Sequence, residues 1–367
     1  MNLTRLTDLI VSTPLCPLEH RSCSSPLLRL YQRTAWVHVT ADERRATLGN
    51  ESSRESLDSA CFAAHVHEIP LVRHAGMRRE GASRLPGAPL VRALELLRGK
   101  PLYMLGDSQM RAATVDARCT LRRERPDFIG RLGIPASRDA PRLGTLGAAH
   151  RVARALNFTA QAARRSGGGM ILVLIGDHYH DDQDGAYGLA SLAEALEATL
   201  RILDDYAAAC ELCVAALATR TARHFRAAAD GDWRGHTAEG CAPLPSNWTT
   251  IDWEAALVYE VARKLHADNS AEGSVGGGDG NSAQQLQQQQ RQQRRRRQAE
   301  ILPLHLLTQG LHDQHHGRLY DRDPVSNARM LNNRSDCLHY VPRPWTWEPL
   351  WYELAQVMER RLGEPGY

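Results

Sequence analysis

The run GGGMILVLIGD, residues 167–177, constrains this chain more than any other stretch. Residues 170–175 are six apolar side chains in a row, and a strand with no polar alternate positions has to be covered on both faces. Its neighbours supply the cover. LGAAHRVARALNFTAQAARR (146–165) before it and LASLAEALEATLRILDDYAAA (189–209) after it carry apolar residues at helical spacing. The same alternation repeats along the chain. APLVRALELLRG (88–99), closing on Gly99, precedes the short apolar run PLYML; CELCVAALATRT (210–221) reads as a strand, IDWEAALVYEVARKLHAD (251–268) as a helix and ILPLHLL (301–307) as a fourth strand. Strands alternating with helices predict an α/β fold of three layers, a central parallel sheet covered by helices, with ligands at the carboxyl ends of the strands.

Two segments lack this pattern. Residues 1–85 are rich in Ser, Arg and Pro and read as an irregular N-terminal segment, leaving 86–362 as the folded domain. Residues 269–298, NSAEGSVGGGDGNSAQQLQQQQRQQRRRRQ, are low in complexity and read as a disordered insertion within that domain. The four arginines at 294–297 could meet nucleic acid or a phosphoinositide, but within a glutamine-rich expansion they read as a solvated run. With a net charge of only +3 the chain predicts no nucleic-acid partner. At 367 residues and 43% hydrophobic content it is long enough to fill a large core.

Eight cysteines are spread thinly, and only Cys210 and Cys213 are close. No second pair at zinc-site spacing follows, so no metal is expected there, and disulfides are possible without a pairing that spacing can assign. Five N-x-S/T tripeptides, at Asn2, Asn50, Asn157, Asn247 and Asn333, weakly favour a secretory compartment. The sequence shows neither a signal-peptide core nor a membrane-spanning run, so membrane association is expected only through an N-terminal anchor lying beyond this chain.

YMLGDSQMR, residues 103–111, leaves a strand, turns on Gly106 and presents Asp107, Ser108 and Arg111. At a strand-to-helix corner Ser108 lies beside free backbone N–H groups, where it can act as a nucleophile or cap the helix. Near the other end, SDCLHY sets Asp336 and His339 three apart, on one side of a helical turn or of a loop folded like one. Ser108, His339 and Asp336 are the residue types of nucleophile, base and orienting acid. HYHDD, residues 178–182, allows a metal reading, since two histidines two apart on a strand share a face.

The combination resembles the SGNH, or GDSL-like, hydrolase superfamily, and within it the PC-esterase branch that includes the trichome birefringence-like glycan O-acetyltransferases. Four ordered blocks carry the resemblance. LVRALELLRGKPLYMLGDSQMR is similar to that branch's GDS block. ATRTARHFRAAADGDWRGHTAEGCAP matches its second through Arg220, Thr221, His224, Phe225, Asp232, Trp233, Gly240 and Cys241. ILPLHLLTQGLHDQHHGRLY and DCLHYVPRPWTWEPL resemble its closing segments.

The chain also departs from the pattern. Val341 stands where the family has a cysteine, Leu311 where it has an arginine, and PWTWEPL replaces the usual ending. LIGDHYHDD offers Gly176 and His178 but no oxyanion-donating asparagine.

The resemblance implies an SGNH-like fold and acyl transfer to a carbohydrate hydroxyl through an acyl-serine, with Ser108, His339 and Asp336 as triad. Gly106, Asp107, Arg111, Gly176 and His178 would support the site; with the family's asparagine absent, the backbone N–H groups of Ser108 and Gly176 are the candidate oxyanion donors. Arg220, His224 and Trp233 would lie behind it. Trp345, Trp347 and Trp351 read as core before sugar platform. The partners implied are a glycan or polysaccharide acceptor and an acyl donor, acetyl-CoA or another acetyl carrier as co-substrate, with no bound cofactor and no metal. The compartment implied is the Golgi lumen. The alternatives are an acetyl esterase using the same triad, or a non-catalytic glycan-binding module of the same fold.

Overall fold

A computed structural model describes residues 36–38, 77–79, 88–133, 149–176, 188–224, 241, 253–271, 298–308, 315–322, 329–340 and 346–363. In the N-terminal part, read from sequence as irregular, strands β1 (Trp36–His38) and β2 (Met77–Arg79) pair antiparallel. Helix α1 (Ala88–Leu96) leads into β3 (Leu102–Gly106), then α2 (Ser108–Glu124), a 3-10 turn (Pro126–Arg131) and β4 (Leu132–Gly133). Next come α3 (Ala149–Arg165), β5 (Gly169–Leu174), α4 (Leu189–Ala209), β6 (Cys213–Ala218), α5 (Trp253–Ala271) and β7 (Glu300–Leu302). A short α6 (Leu304–Thr308), an antiparallel hairpin of β8 (His315–Arg322) and β9 (Arg329–Tyr340), and α7 (Glu348–Leu362) close the fold.

Five strands form one parallel sheet in the order β4-β3-β5-β6-β7. Every residue of β3, β5 and β6 is buried, as the unbroken apolar runs require. Alternate side chains serve two cores. Tyr103, Leu105, Ile171 and Val173 pack with α3, α4 and α5 on one face; Leu102, Met104, Met170 and Leu172 pack with α1, α2 and α7 on the other. Helix α4 buries Leu192, Leu196, Leu200 and Leu203, the stripe that its helical period prescribes. This is the three-layer α/β arrangement expected from the sequence.

Along the chain the sheet first grows from β3 to β4 on one side. It then crosses back over β3 to β5 and continues to β6 and β7 on the other. The order therefore reverses between β3 and β5, and in open α/β sheets a crevice opens at the carboxyl ends of such strands.

Three sequence expectations need correction. ILPLHLL is not one strand: β7 stops before Pro303, which has no N–H to donate to a sheet ladder, and α6 begins just after it. Helix α5 runs through Ala271, so residues 269–271 of the expected disordered insertion are helical, while 272–297 lie outside the described residues. The Asp336–His339 segment is a strand rather than a helical turn.

Candidate active site

Strand β3 ends on Gly106 because nothing larger fits. A Cβ there would sit 2.2 Å from the Leu174 carbonyl oxygen and 2.6 Å from Met110 Cβ, so strand, neighbouring strand and helix meet at that atom. Asp107 follows, 2% exposed, with its N–H donating to Leu174 O at 3.2 Å. Its carboxylate accepts the Gln109 N–H at 3.1 Å and is the N-cap of α2. That removes the cap reading of Ser108. The cap is Asp107, and Ser108 is the first residue of the helix, with its hydroxyl available for another partner.

That partner is His339. Ser108 Oγ lies 2.7 Å from His339 Nε2, across 231 positions of sequence, with both side chains half-buried. When the hydroxyl donates this bond, Nε2 carries the lone pair and the ring proton sits on Nδ1, the tautomer of a general base.

His339 stands near the end of β9. His315 pairs with Tyr340 and Gly317 with Asp336, so three positions of β8 face five of β9 at a bulge. The regular alternation of the strand is therefore broken between positions 336 and 340. The side chain of Asp336 lies outside the described residues.

The backbone around His339 is held at each step. Cys337 is disulfide-bonded to Cys241, and its carbonyl accepts the His224 N–H at 3.1 Å. Gln109, fully buried and next to Ser108, donates its amide to Leu338 O and accepts the Tyr340 N–H at 3.3 Å. The carbonyl of His339 itself accepts from His315 Nδ1 at 3.2 Å. Gln109 and His315 were not singled out from sequence, because their partners are remote in the chain. The second assigned disulfide joins Cys210 and Cys213, which are therefore sulfur-bonded to each other, and Cys119 is also disulfide-bonded.

On the neighbouring strand the chain leaves β5 and reaches Gly176 with φ +146°, a region that L side chains rarely enter. Behind this glycine lies a buried ion cluster. Arg220 Nε meets Glu254 Oε2 at 2.6 Å and Arg223 meets Glu254 Oε1 at 3.4 Å, all three side chains at most 3% exposed. Glu254, from α5, is another residue the sequence reading missed; its carboxylate faces the point where a Cβ of residue 176 would stand.

The other sequence candidates divide. Arg111 is exposed on α2, one turn from Ser108, and His224 is fully buried against His315. Trp347 and Trp351 are core residues, as expected, the latter donating its indole N–H to Asp116 at 2.8 Å. His178, Trp233 and Trp345 lie outside the described residues. Among the described residues no group of three or more His, Cys, Asp or Glu is placed to hold a metal ion, and no helix is long and apolar enough to cross a membrane.

No family model, no curated protein and no solved structure matches this chain. The geometry of the site therefore carries the functional reading.

Proposed function

We propose that this chain is a serine-dependent O-acyltransferase that moves an acyl group, in the first instance acetyl, onto a carbohydrate hydroxyl. The observation that carries the reading is the 2.7 Å contact of Ser108 Oγ with His339 Nε2 at the carboxyl edge of a parallel sheet. His339 Nε2 takes the Ser108 proton as Oγ bonds to the carbonyl carbon of the acyl donor. The tetrahedral oxyanion meets the Ser108 N–H, a first-turn donor of α2 that no helical carbonyl can reach, and the Gly176 N–H. Collapse breaks the bond to the leaving group, which departs with the proton held on Nε2. A sugar hydroxyl then gives its proton to Nε2 and attacks the acyl-serine, and a second collapse returns the proton to Ser108 Oγ. The resemblance assigns to Asp336 the part of the acid that steadies His339 Nδ1–H through this cycle.

The resemblance to the PC-esterase branch supports a glycan acceptor, acetyl-CoA or another acetyl carrier as donor, and work in the Golgi lumen. Disulfides such as Cys241–Cys337 suit that oxidising compartment. If water replaces the sugar hydroxyl, the same residues make an acetyl esterase. Acceptor binding and exclusion of water separate the two outcomes.

Intact-mass analysis after mixing with acetyl-CoA or an activated acetyl ester tests this directly. The expected result is one added acetyl group on the wild type and none on Ser108→Ala. Release of that group onto added polysaccharide, rather than to water, identifies the transferase. A folded wild type that binds glycan but takes no acetyl group from either donor would leave the non-catalytic module standing instead.

A further inference from the structure

We propose that His315, fixed in one tautomer by the buried His224 behind it, is a positioning residue that aims His339 at Ser108; the inference rests on the reading of Ser108 and His339 as nucleophile and base. The argument starts from what a carbonyl can do. His339 O only accepts, so the His315 Nδ1 that lies 3.2 Å from it carries a proton. A neutral imidazole with its proton on Nδ1 has a lone pair on Nε2. His315 Nε2 lies 2.7 Å from His224 Nδ1, so His224 donates there and also carries its proton on Nδ1. Tyr340 completes the set. Its hydroxyl donates to Ala222 O at 2.8 Å, with Thr308 O at 3.2 Å, and turns its oxygen to His224 Nδ1 at 3.2 Å.

The result is a directed chain, from the His224 ring to the His315 ring to the His339 carbonyl. Burial keeps water from competing with it, since His224 and Tyr340 are fully buried and His315 is 7% exposed. The His315 ring also lies against Tyr340, centroids 4.1 Å apart, which opposes its rotation. His224 follows β6 of the central sheet, whereas His315 opens the hairpin that bears the base. The chain of bonds thus ties the hairpin to the sheet from which the nucleophile also springs. Without it the peptide after the base gains freedom, and the 2.7 Å contact between Nε2 and Oγ is held less of the time.

The test compares wild type, His315→Phe, His315→Asn and Ser108→Ala on an activated acetyl ester, with rates expressed per titrated active serine. Phe fills the ring's place but cannot donate; Asn keeps an N–H near the position of Nδ1. The expected result is a kcat fall of about 10²-fold for His315→Phe with KM nearly constant, and recovery of roughly tenfold of it in His315→Asn. A residue that only stabilises the fold would lower the melting temperature and the number of titrated sites, and leave kcat per site alone. Ring nitrogen-15 shifts of the wild type give a second readout that needs no variant to fold: the proton of neutral His315 is expected on Nδ1.

An unchanged kcat per site in His315→Phe, no advantage of Asn over Phe, or a proton on Nε2 would overturn the positioning role while Ser108-dependent turnover upheld the proposed function. Wild-type protein without Ser108-dependent turnover would overturn the proposed function and this inference together.

Discussion

Gln109 shows how a residue beside Ser108 can matter through the backbone it holds. Its amide bridges Leu338 O and Tyr340 N, the peptide groups on either side of His339, so Ser108 and His339 share one brace. Replacing it by leucine keeps most of the volume but removes two hydrogen bonds, one to a half-buried carbonyl and one from a buried N–H, and a lost bond of this kind costs about 1–3 kcal/mol. Gln109→Leu is expected to lower the unfolding free energy by that order, read as a lower urea midpoint, and to reduce acetyl-ester turnover per titrated serine. An unchanged midpoint and rate would show that the brace does nothing. The sequence made Ser108, Asp336 and His339 legible as residue types at motif spacings. It could not do the same for Gln109, whose partners lie 229 and 231 positions away. Ser108 itself was ambiguous from sequence, because cap and nucleophile favour the same residue. Only the carboxylate of Asp107, bonded to the Gln109 N–H, shows that Asp107 and not Ser108 is the cap.

Among the elements, those with strong periodicity were the legible ones. Helix α4 spans the residues that its Leu and Ala pattern marked, and β5 is the buried strand that its apolar run required. Hairpin β8–β9 was not expected as strands, since segments such as HHGRLYDR and RMLNNRSDCLHY show no clean alternation of apolar and polar side chains. The split between β7 and α6 was likewise hidden in an evenly apolar run, although Pro303 marks it in hindsight.

Helix α6 carries His305, 1% exposed, with Nδ1 3.0 Å from Thr219 Oγ1. Burial first, and then the charge of Arg220, pulls its pKa down from 6.5 to about 3. The folded state therefore holds His305 neutral at pH values where the unfolded chain has already taken up a proton. This contribution is complete above about pH 6.5 and is lost as pH falls toward 3, by up to about 1.4 kcal/mol for each unit within that window. Urea midpoints at pH 7.5 and pH 5 are expected to differ more in the wild type than in His305→Asn. Equal differences would mean that His305 titrates in the folded protein as it does in the unfolded chain.

At the scale of the whole molecule, topology explains why residues so far apart in sequence meet. The sheet order reverses between β3 and β5, and Ser108 follows the first of these strands while Gly176 follows the second. His339 comes from outside the sheet, on a hairpin tied to the chain beyond β6 by the Cys241–Cys337 disulfide and the His224–Cys337 backbone bond, and to α2 by the Gln109 brace. The alternation of strands and helices foretold the sheet, and hence the edge where a ligand should lie. It could not foretell the hairpin, whose place is set by polar contacts between remote residues.

The central claim is that Ser108 is a nucleophile activated by His339, and the most direct measurement is to treat the native protein with a fluorophosphonate and map the modified peptide. Attack by an activated serine expels fluoride and leaves the phosphonyl group on its oxygen. The account expects label on Ser108 in the wild type and its loss in His339→Ala; label on another residue, or on Ser108 regardless of His339, would contradict it.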